Sequence, residues 1–483
     1  MKHCAKIAVK VLRRNLLLFL TLVGAFLGVG IGFAVRTTQP SNNALMWLGM
    51  PGKLYLRLLK MMIVPLIVSS VITGTASLDP KSNGKISLIS TLFIFFTNTV
   101  GSVLGVLSFL VFKPGVAGDN TEFLRTGAQK QVQTEDIFAD LLRNILPDNL
   151  FEATFRQTQT QYKYGIVNNT GPSNMSLEII EKIVSKTDGP NLLGLIFACT
   201  LIGIASSSLG EKGKPLIVLF EAATRTVIVI IRWFLWTTPI GVLSLILVAI
   251  AAIPEVSSIF HNLGFFIIAV ITALVIQQLL VMPLIMFLFT RKNPYRLLIG
   301  ITKPWLIAFA AASTAVAIPE MLNACEHTLK LDKRIARFVI PFSVTLSANG
   351  SAVFIACSCL FISNISGFPP NIGTILMVGV LAAVSSLAIP SVPSASIVTI
   401  IMILTSLNIP VDSIALLLAV EFILDRLRST SSVVSHTMCV SVTNHACKNN
   451  LKIEQTSDVE MDNIIIEQSP MLTQNGQANT EHI

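Results

Sequence analysis

Glu421 to His436, EFILDRLRSTSSVVSH, places two acids, two arginines and a histidine inside an otherwise apolar stretch, between the runs Ile414–Val420 and Thr437–Val442. At 100° per residue, Glu421, Asp425, Arg428, Ser432 and His436 share one helix face, and Arg426 points elsewhere. A charge in hydrocarbon costs roughly 2.5–3.5 kcal/mol on insertion scales, so such groups face a cavity or one another. Two readings follow. The stripe is a polar ligand site, or Asp425 and Arg428 form a structural pair that holds two helices together.

The elements that must carry this stripe are membrane helices. The chain is 52% hydrophobic and only 13% charged, with mean hydropathy +0.72, against about a quarter charged for a soluble protein. Its apolar runs are continuous rather than alternating, which predicts helices and excludes a barrel. Leu16–Val35 is too long for a signal-peptide core and reads as a first span. Lys2, Lys6, Lys10, Arg13 and Arg14 precede it and hold the N-terminus in the cytoplasm. The net charge of +9 lies at helix ends, not in a nucleic-acid patch, while the stretch from Lys448 onward is acidic and reads as disordered. The seven cysteines form no metal-ligand set and read as free thiols. With no phosphate-binding Gly-rich loop, metal cluster or nucleophile motif, the chain does not read as an enzyme.

In order, residues 1–15 are a cytoplasmic N-terminus and 16–113 hold three spans. Pro51-Gly52 opens the second of these, and Pro65 kinks it. Residues 114–190 are polar and lie outside, with glycosylation sequons at Asn168 and Asn174. Residues 191–253 hold further spans; Leu216–Ile253 is longer than one straight span and reads as bent, and its Glu221, Arg225 and Arg232 are expected to pair at a domain or trimer surface. Residues 254–447 begin with a full span, Gly264–Leu288. Three interrupted elements follow, centred on Ala310–Pro319, Ser347–Ser351 and Ser385–Ser396. Broken helices at membrane depth are tolerated where they line a cavity, so these breaks are the expected neighbours of Asp425 and Arg428. Residues 448–483 are the tail.

Four blocks in order carry a resemblance: GMPGKLYLRLLKMMIVPLIVSSVITGTASLD, RKNPYRLLIG, DKRIARFVIPFSVTLSANGSA and AVEFILDRLRSTSSV. The chain resembles the excitatory amino acid transporter family, the sodium/dicarboxylate symporters, over roughly Leu12–Cys447. The resemblance implies an all-α membrane fold of eight spanning helices plus two re-entrant hairpins, about Leu297–Leu322 and Ile372–Leu407. It also implies a homotrimer whose transport domain, residues 254–447, moves like an elevator against a scaffold formed mostly by the earlier spans. By position, Arg428 takes the side-chain carboxylate of an acidic substrate and Asp425 its amino group. Ser429, the first-hairpin tip Ser313-Thr314, Ser351 and the second-hairpin residue Val392 complete the substrate set. Relatives that take neutral amino acids lack this arginine.

The sequence departs from the family where cations bind. The family's Asn-Met-Asp-Gly-Thr motif is Ser347-Ala348-Asn349-Gly350-Ser351, and on the last helix its Asp, Asn and Asp become Glu421, Ser432 and His436. Hard cations want oxygen ligands with compensating charge; Asn349 keeps the oxygen alone, and imidazole is a poor ligand for sodium. No resident cofactor is expected, sodium remains an ion the site could take, and His436 introduces a possible proton link. The leading expectation is a plasma-membrane transporter of glutamate- or aspartate-like substrates with altered sodium coupling. The alternative is a non-concentrative paralogue, acting as a substrate-gated anion conductance or as a regulatory subunit.

Overall fold

The computed structural model describes residues 16–76, 84–115, 134–168, 175–252, 256–391, 394–411 and 413–477. Helices α1 (Leu16–Thr37), α2 (Asn42–Met61), α3 (Ile63–Ala76) and α4 (Gly84–Phe112) come first. α2 starts at Asn42, capped by Ser41, and carries Pro51 in its interior rather than beginning there. The cost of that proline is met by Ser244. Its hydroxyl accepts from the Gly52 amide (3.1 Å) and donates to the Leu48 carbonyl (2.6 Å), so a side chain from another helix repairs the interrupted ladder. The real break falls at Met62, where the Pro65 ring would collide with the Met61 carbonyl.

The polar segment holds α5 (Thr134–Ile145) and an antiparallel hairpin, β1 (Arg156–Asn168) with β2 (Met175–Asp188). Asp140 fastens α5 to β1 by accepting from the Thr160 amide (2.6 Å) and hydroxyl (2.7 Å). Asn168 ends β1, whereas Asn174 lies outside the described residues.

α6 (Leu192–Ser208) follows, capped by Asn191. α7 (Lys214–Leu235) and α8 (Thr238–Ala252) meet at a 54° bend with Pro239 in the first turn of α8. α9 (Val256–Ile276) passes through a π turn at Gln277–Val281 into α10 (Met282–Thr290); the extra residue in that turn relieves the clash Pro283 would otherwise make.

The three interrupted elements are broken in space. α11 (Pro294–Gly300) and α12 (Thr302–Ala311) lead to a turn at Ala312, with left-handed φ of 50°, before α13 (Ile318–Asn323). α14 (Lys333–Leu346) and α15 (Asn349–Ile365) are separated by Ser347-Ala348. α16 (Ile372–Ser385) and α17 (Ala395–Ser406) flank the second tip.

α18 runs from Ile414 to Gln477. It therefore continues through much of the tail expected to be disordered; a polar run free of proline until Pro470 prolongs a helix that packing has already nucleated.

Among the described residues, five helical stretches are long and apolar enough to cross a membrane, and the bent α7–α8 pair makes six. α6, at 17 residues, and the apolar part of α18 complete the eight spanning units. α15 is the innermost element, buried along most of its length, with Phe361 stacked on Phe266 at 4.6 Å. The six described cysteines are free and buried; Cys4 lies outside the described residues.

Candidate functional site

α18 is packed against α4, α10, α12, α14 and α15, so its polar stripe faces protein on every side. Glu421, Asp425, Arg428, Ser432 and His436 are all buried, whereas Arg426 is half-buried and donates back to the Phe422 carbonyl (2.7 Å). Arg428 is 1% exposed. Its Nη2 donates to Asp425 Oδ1 at 2.5 Å and reaches Glu421 Oε1 at 3.4 Å. Its guanidinium lies 4.3 Å from the centre of the Phe354 ring on α15, a desolvated cation–π contact. Nε and Nη1 have no hydrogen-bond partner among the described residues. A buried donor left unpaired costs roughly 1–3 kcal/mol, and more when charged, so these two nitrogens call for an acceptor.

The broken elements bring backbone to this centre. Asp425 Oδ2 accepts from the Ser394 amide at 3.2 Å, with Ser394 held at a left-handed φ of 62° as the cap of α17. Ser313 Oγ donates to the Ser391 carbonyl at 2.7 Å, so the tips of the two hairpins are joined directly. Between the tips, the Ser347-Ala348 break and α18 lies a cavity of about 30 Å³, with room for about two waters. Ser313, Thr314, Ser347, Ser351, Asp425, Arg428, Ser429 and Ser432 line it, as do Pro390 and Ser391. An amino acid does not fit this volume; admitting one requires the Ser313–Ser391 contact to part.

Val392 lies outside the described residues. Glu421 reaches Arg428 from behind and does not line the cavity. Of the remaining cation positions, Ser347 and Ser432 line the cavity, whereas Asn349 and His436 do not. Ser347 Oγ donates to Asn98 Oδ1 (3.1 Å), and Asn349 Nδ2 faces Met282 Sδ (3.8 Å) while its Oδ1 has no partner among the described residues. His436 is fully buried, with neither ring nitrogen partnered among the described residues. No group of three or more His, Cys, Asp or Glu among the described residues could hold a metal ion.

Sequence reasoning missed several members of this centre. Asn98 and Gln277 are fully buried amides on α4 and at the α9 π turn; Gln277 accepts from Ser431 Oγ at 2.9 Å. An amide inside an apolar span was the available signal, because uncompensated amides are costly in hydrocarbon. Phe354 and the Ser394 backbone carried no such signal.

Spanning helices, two hairpins meeting at mid-chain breaks and a closed charged cavity between them define a multi-pass membrane transporter. The sequence matches the profile of the sodium:dicarboxylate symporter family over residues 17–446. It is 35% identical to an excitatory amino acid transporter of Caenorhabditis elegans over 456 residues, 92% of this chain and 90% of that protein. It is 33% identical to excitatory amino acid transporter 2 of Mus musculus over 472 residues, covering 93% and 82% of the two chains. Neutral amino acid transporter A of Homo sapiens is 32% identical over 465 residues, with coverages of 95% and 86%. The chain belongs to the sodium:dicarboxylate symporter family.

Proposed function

We propose that this protein is a secondary transporter of acidic amino acids that works by an elevator movement and couples only weakly to sodium. The observation that carries the substrate class is Arg428, buried yet with Nε and Nη1 unpaired among the described residues, beside the cavity. A guanidinium matches a carboxylate in shape and charge, and it stays charged when desolvated. In this reading Arg428 takes the substrate's side-chain carboxylate and Asp425 its ammonium group. Ser429, Ser313, Thr314 and Ser351 supply hydroxyls to the backbone carboxylate, and Val392, outside the described residues, is assigned to the same substrate set. Binding would draw Arg428 partly away from Asp425, freeing the aspartate oxygen for the ammonium. The second hairpin is the outer gate, since its tip must leave Ser313 and Asp425 before a substrate enters.

Among the cation positions, Glu421 alone brings a carboxylate and it faces Arg428; the oxygen donors Ser347, Asn349 and Ser432 are neutral, and His436 offers nitrogen. That set does not suit a tightly held sodium ion, so no transport step is assigned to one. Proton coupling through His436 is likewise given no step. The proposed assembly is a homotrimer in the plasma membrane, with lipid against the outward apolar faces of the spans. The same neutral positions favour a second reading, a paralogue that does not concentrate substrate and acts as an anion conductance or a regulatory subunit.

Uptake of radiolabelled glutamate and aspartate into liposomes containing the purified protein, with and without sodium, separates the readings. Saturable uptake that changes little with sodium supports the first. Absence of both uptake and exchange leaves only the second. A steep sigmoidal rise with sodium would overturn the weak-coupling reading.

A further inference from the structure

Two buried amides stand behind the cavity wall rather than on it. Asn98 on α4 and Gln277 at the α9 π turn are both fully buried, and neither lines the cavity. Each engages a hydroxyl of the substrate centre through its carbonyl oxygen. Asn98 Oδ1 accepts from Ser347 Oγ at the α14–α15 break (3.1 Å), and Gln277 Oε1 accepts from Ser431 Oγ on α18 (2.9 Å). Ser347 lines the cavity, and Ser431 precedes Ser432, which does so too. The next residue of the π turn, Gln278, accepts from Trp305 Nε1 on α12 (3.0 Å). Consecutive amides of one turn therefore fasten α18 and the first hairpin to the α9–α10 span. Turns of this kind are rare and recur at functional sites.

α4 comes close enough to join them because of Gly101. A Cβ there would stand 2.8 Å from the Asn349 carbonyl oxygen and 2.9 Å from Gln277 Nε2, so a bare backbone lets the break and the amide approach α4 together. Asn98 Nδ2 and Gln277 Nε2 have no hydrogen-bond partner among the described residues. Both are amino groups, whose hydrogens repel a cation. The oxygens that a hard cation would seek already accept from serine. This face of the break does not suit a sodium ion, and the contacts that cross it are hydrogen bonds in a low-dielectric interior.

We propose that Asn98 and Gln277 are positioning residues: their bonds to Ser347 and Ser431 hold the α14–α15 break and α18 in the arrangement that accepts substrate, a task that here needs no ion. Arg428 belongs to this frame because Gly350, in the first turn of α15, packs directly against its backbone carbonyl. Loosening either bond lets the break and the arginine shift relative to each other. The consequence for substrate affinity rests on the acidic amino acid reading above; the hydrogen-bonded frame does not.

Hydrogen–deuterium exchange of the purified full chain in nanodiscs tests the frame without substrate. The first amides of α15 lack helical acceptors, so peptides covering 344–352 report how firmly the break is held. Their exchange in the wild type should agree within about twofold between sodium chloride and choline chloride. In Gln277→Leu and in Ser431→Ala it should quicken about tenfold, as expected for one lost buried hydrogen bond. Peptides covering 428–436 should follow, and those of α1 should not. Ser431→Thr should keep wild-type exchange, and the double variant Gln277→Leu/Ser431→Ala should exceed either single by no more than about twofold. Affinity for radiolabelled aspartate should fall about tenfold in both single variants and hold in Ser431→Thr. Wild-type exchange over 344–352 that slows tenfold in sodium overturns the proposal, because an ion then does the holding. Exchange unmoved by Ser431→Ala overturns it, as does equal quickening along the whole chain, which would be a general loss of stability. Local loosening with unchanged aspartate affinity overturns the positioning role. Should Gln277→Leu fail to fold, Ser431→Ala, which removes a single oxygen, decides alone. A wild type that binds no aspartate while local exchange responds as expected would remove the proposed function and leave the frame standing.

Discussion

Replacing Arg428 by cysteine tests the central charge arrangement most directly. The residue is 1% exposed and its side chain faces two carboxylates, at 2.5 and 3.4 Å, and an aromatic ring at 4.3 Å. Its loss leaves Asp425 and Glu421 buried together without a counter-charge, with the Ser394 amide as the donor that remains to Asp425. Removing one partner of a buried pair costs about 3–5 kcal/mol of stability. On the binding side, losing a desolvated partner costs about 2–5 kcal/mol, which is roughly thirtyfold to several thousandfold in affinity. The assay pairs equilibrium binding of radiolabelled aspartate with thermal unfolding of the same purified samples. Arg428→Cys should lose both. Arg428→Cys/Glu421→Gln should regain part of the unfolding temperature, because one orphaned carboxylate is gone, while binding stays lost. A folded Arg428→Cys that holds aspartate within about twofold of wild type would refute the reasoning and remove Arg428 from the site.

Three further outcomes follow from particular contacts. Asn349→Asp/His436→Asp should introduce measurable sodium dependence of uptake into liposomes, limited by Ser347 and Ser432; uptake that remains flat with sodium would mean that charge alone does not decide the coupling. Gly350→Ala places a Cβ about 3.0 Å from the backbone of Arg428 and against its carbonyl, so it should lower stability by about 1–3 kcal/mol in thermal unfolding and weaken aspartate binding. Glycosidase treatment should shift the mobility of wild-type protein from eukaryotic cells but not that of Asn168→Gln/Asn174→Gln; no shift in either would argue against an outside location for residues 114–190.

The sequence by itself determined the class of the molecule and the location of its charged stripe. Hydropathy set the spans because burying apolar side chains in hydrocarbon outweighs local preferences. The breaks at Ala310–Pro319, Ser347–Ser351 and Ser385–Ser396 were legible because small polar residues and prolines interrupt apolar runs. The shared face of Glu421, Asp425 and Arg428 followed from helical periodicity alone. Where a proline would act was not legible: Pro51 is carried inside α2 because Ser244, distant in sequence, supplies the missing bonds. Only the tertiary structure decided which polar atoms are satisfied. It placed Phe354 over Arg428, gave Asp425 an amide from the second hairpin, and left His436, Asn349 Oδ1 and Arg232 without partners among the described residues. The reason is physical. A residue's type fixes what it can donate or accept, but whether a partner lies within about 3 Å depends on the packing of helices that meet only in the folded chain.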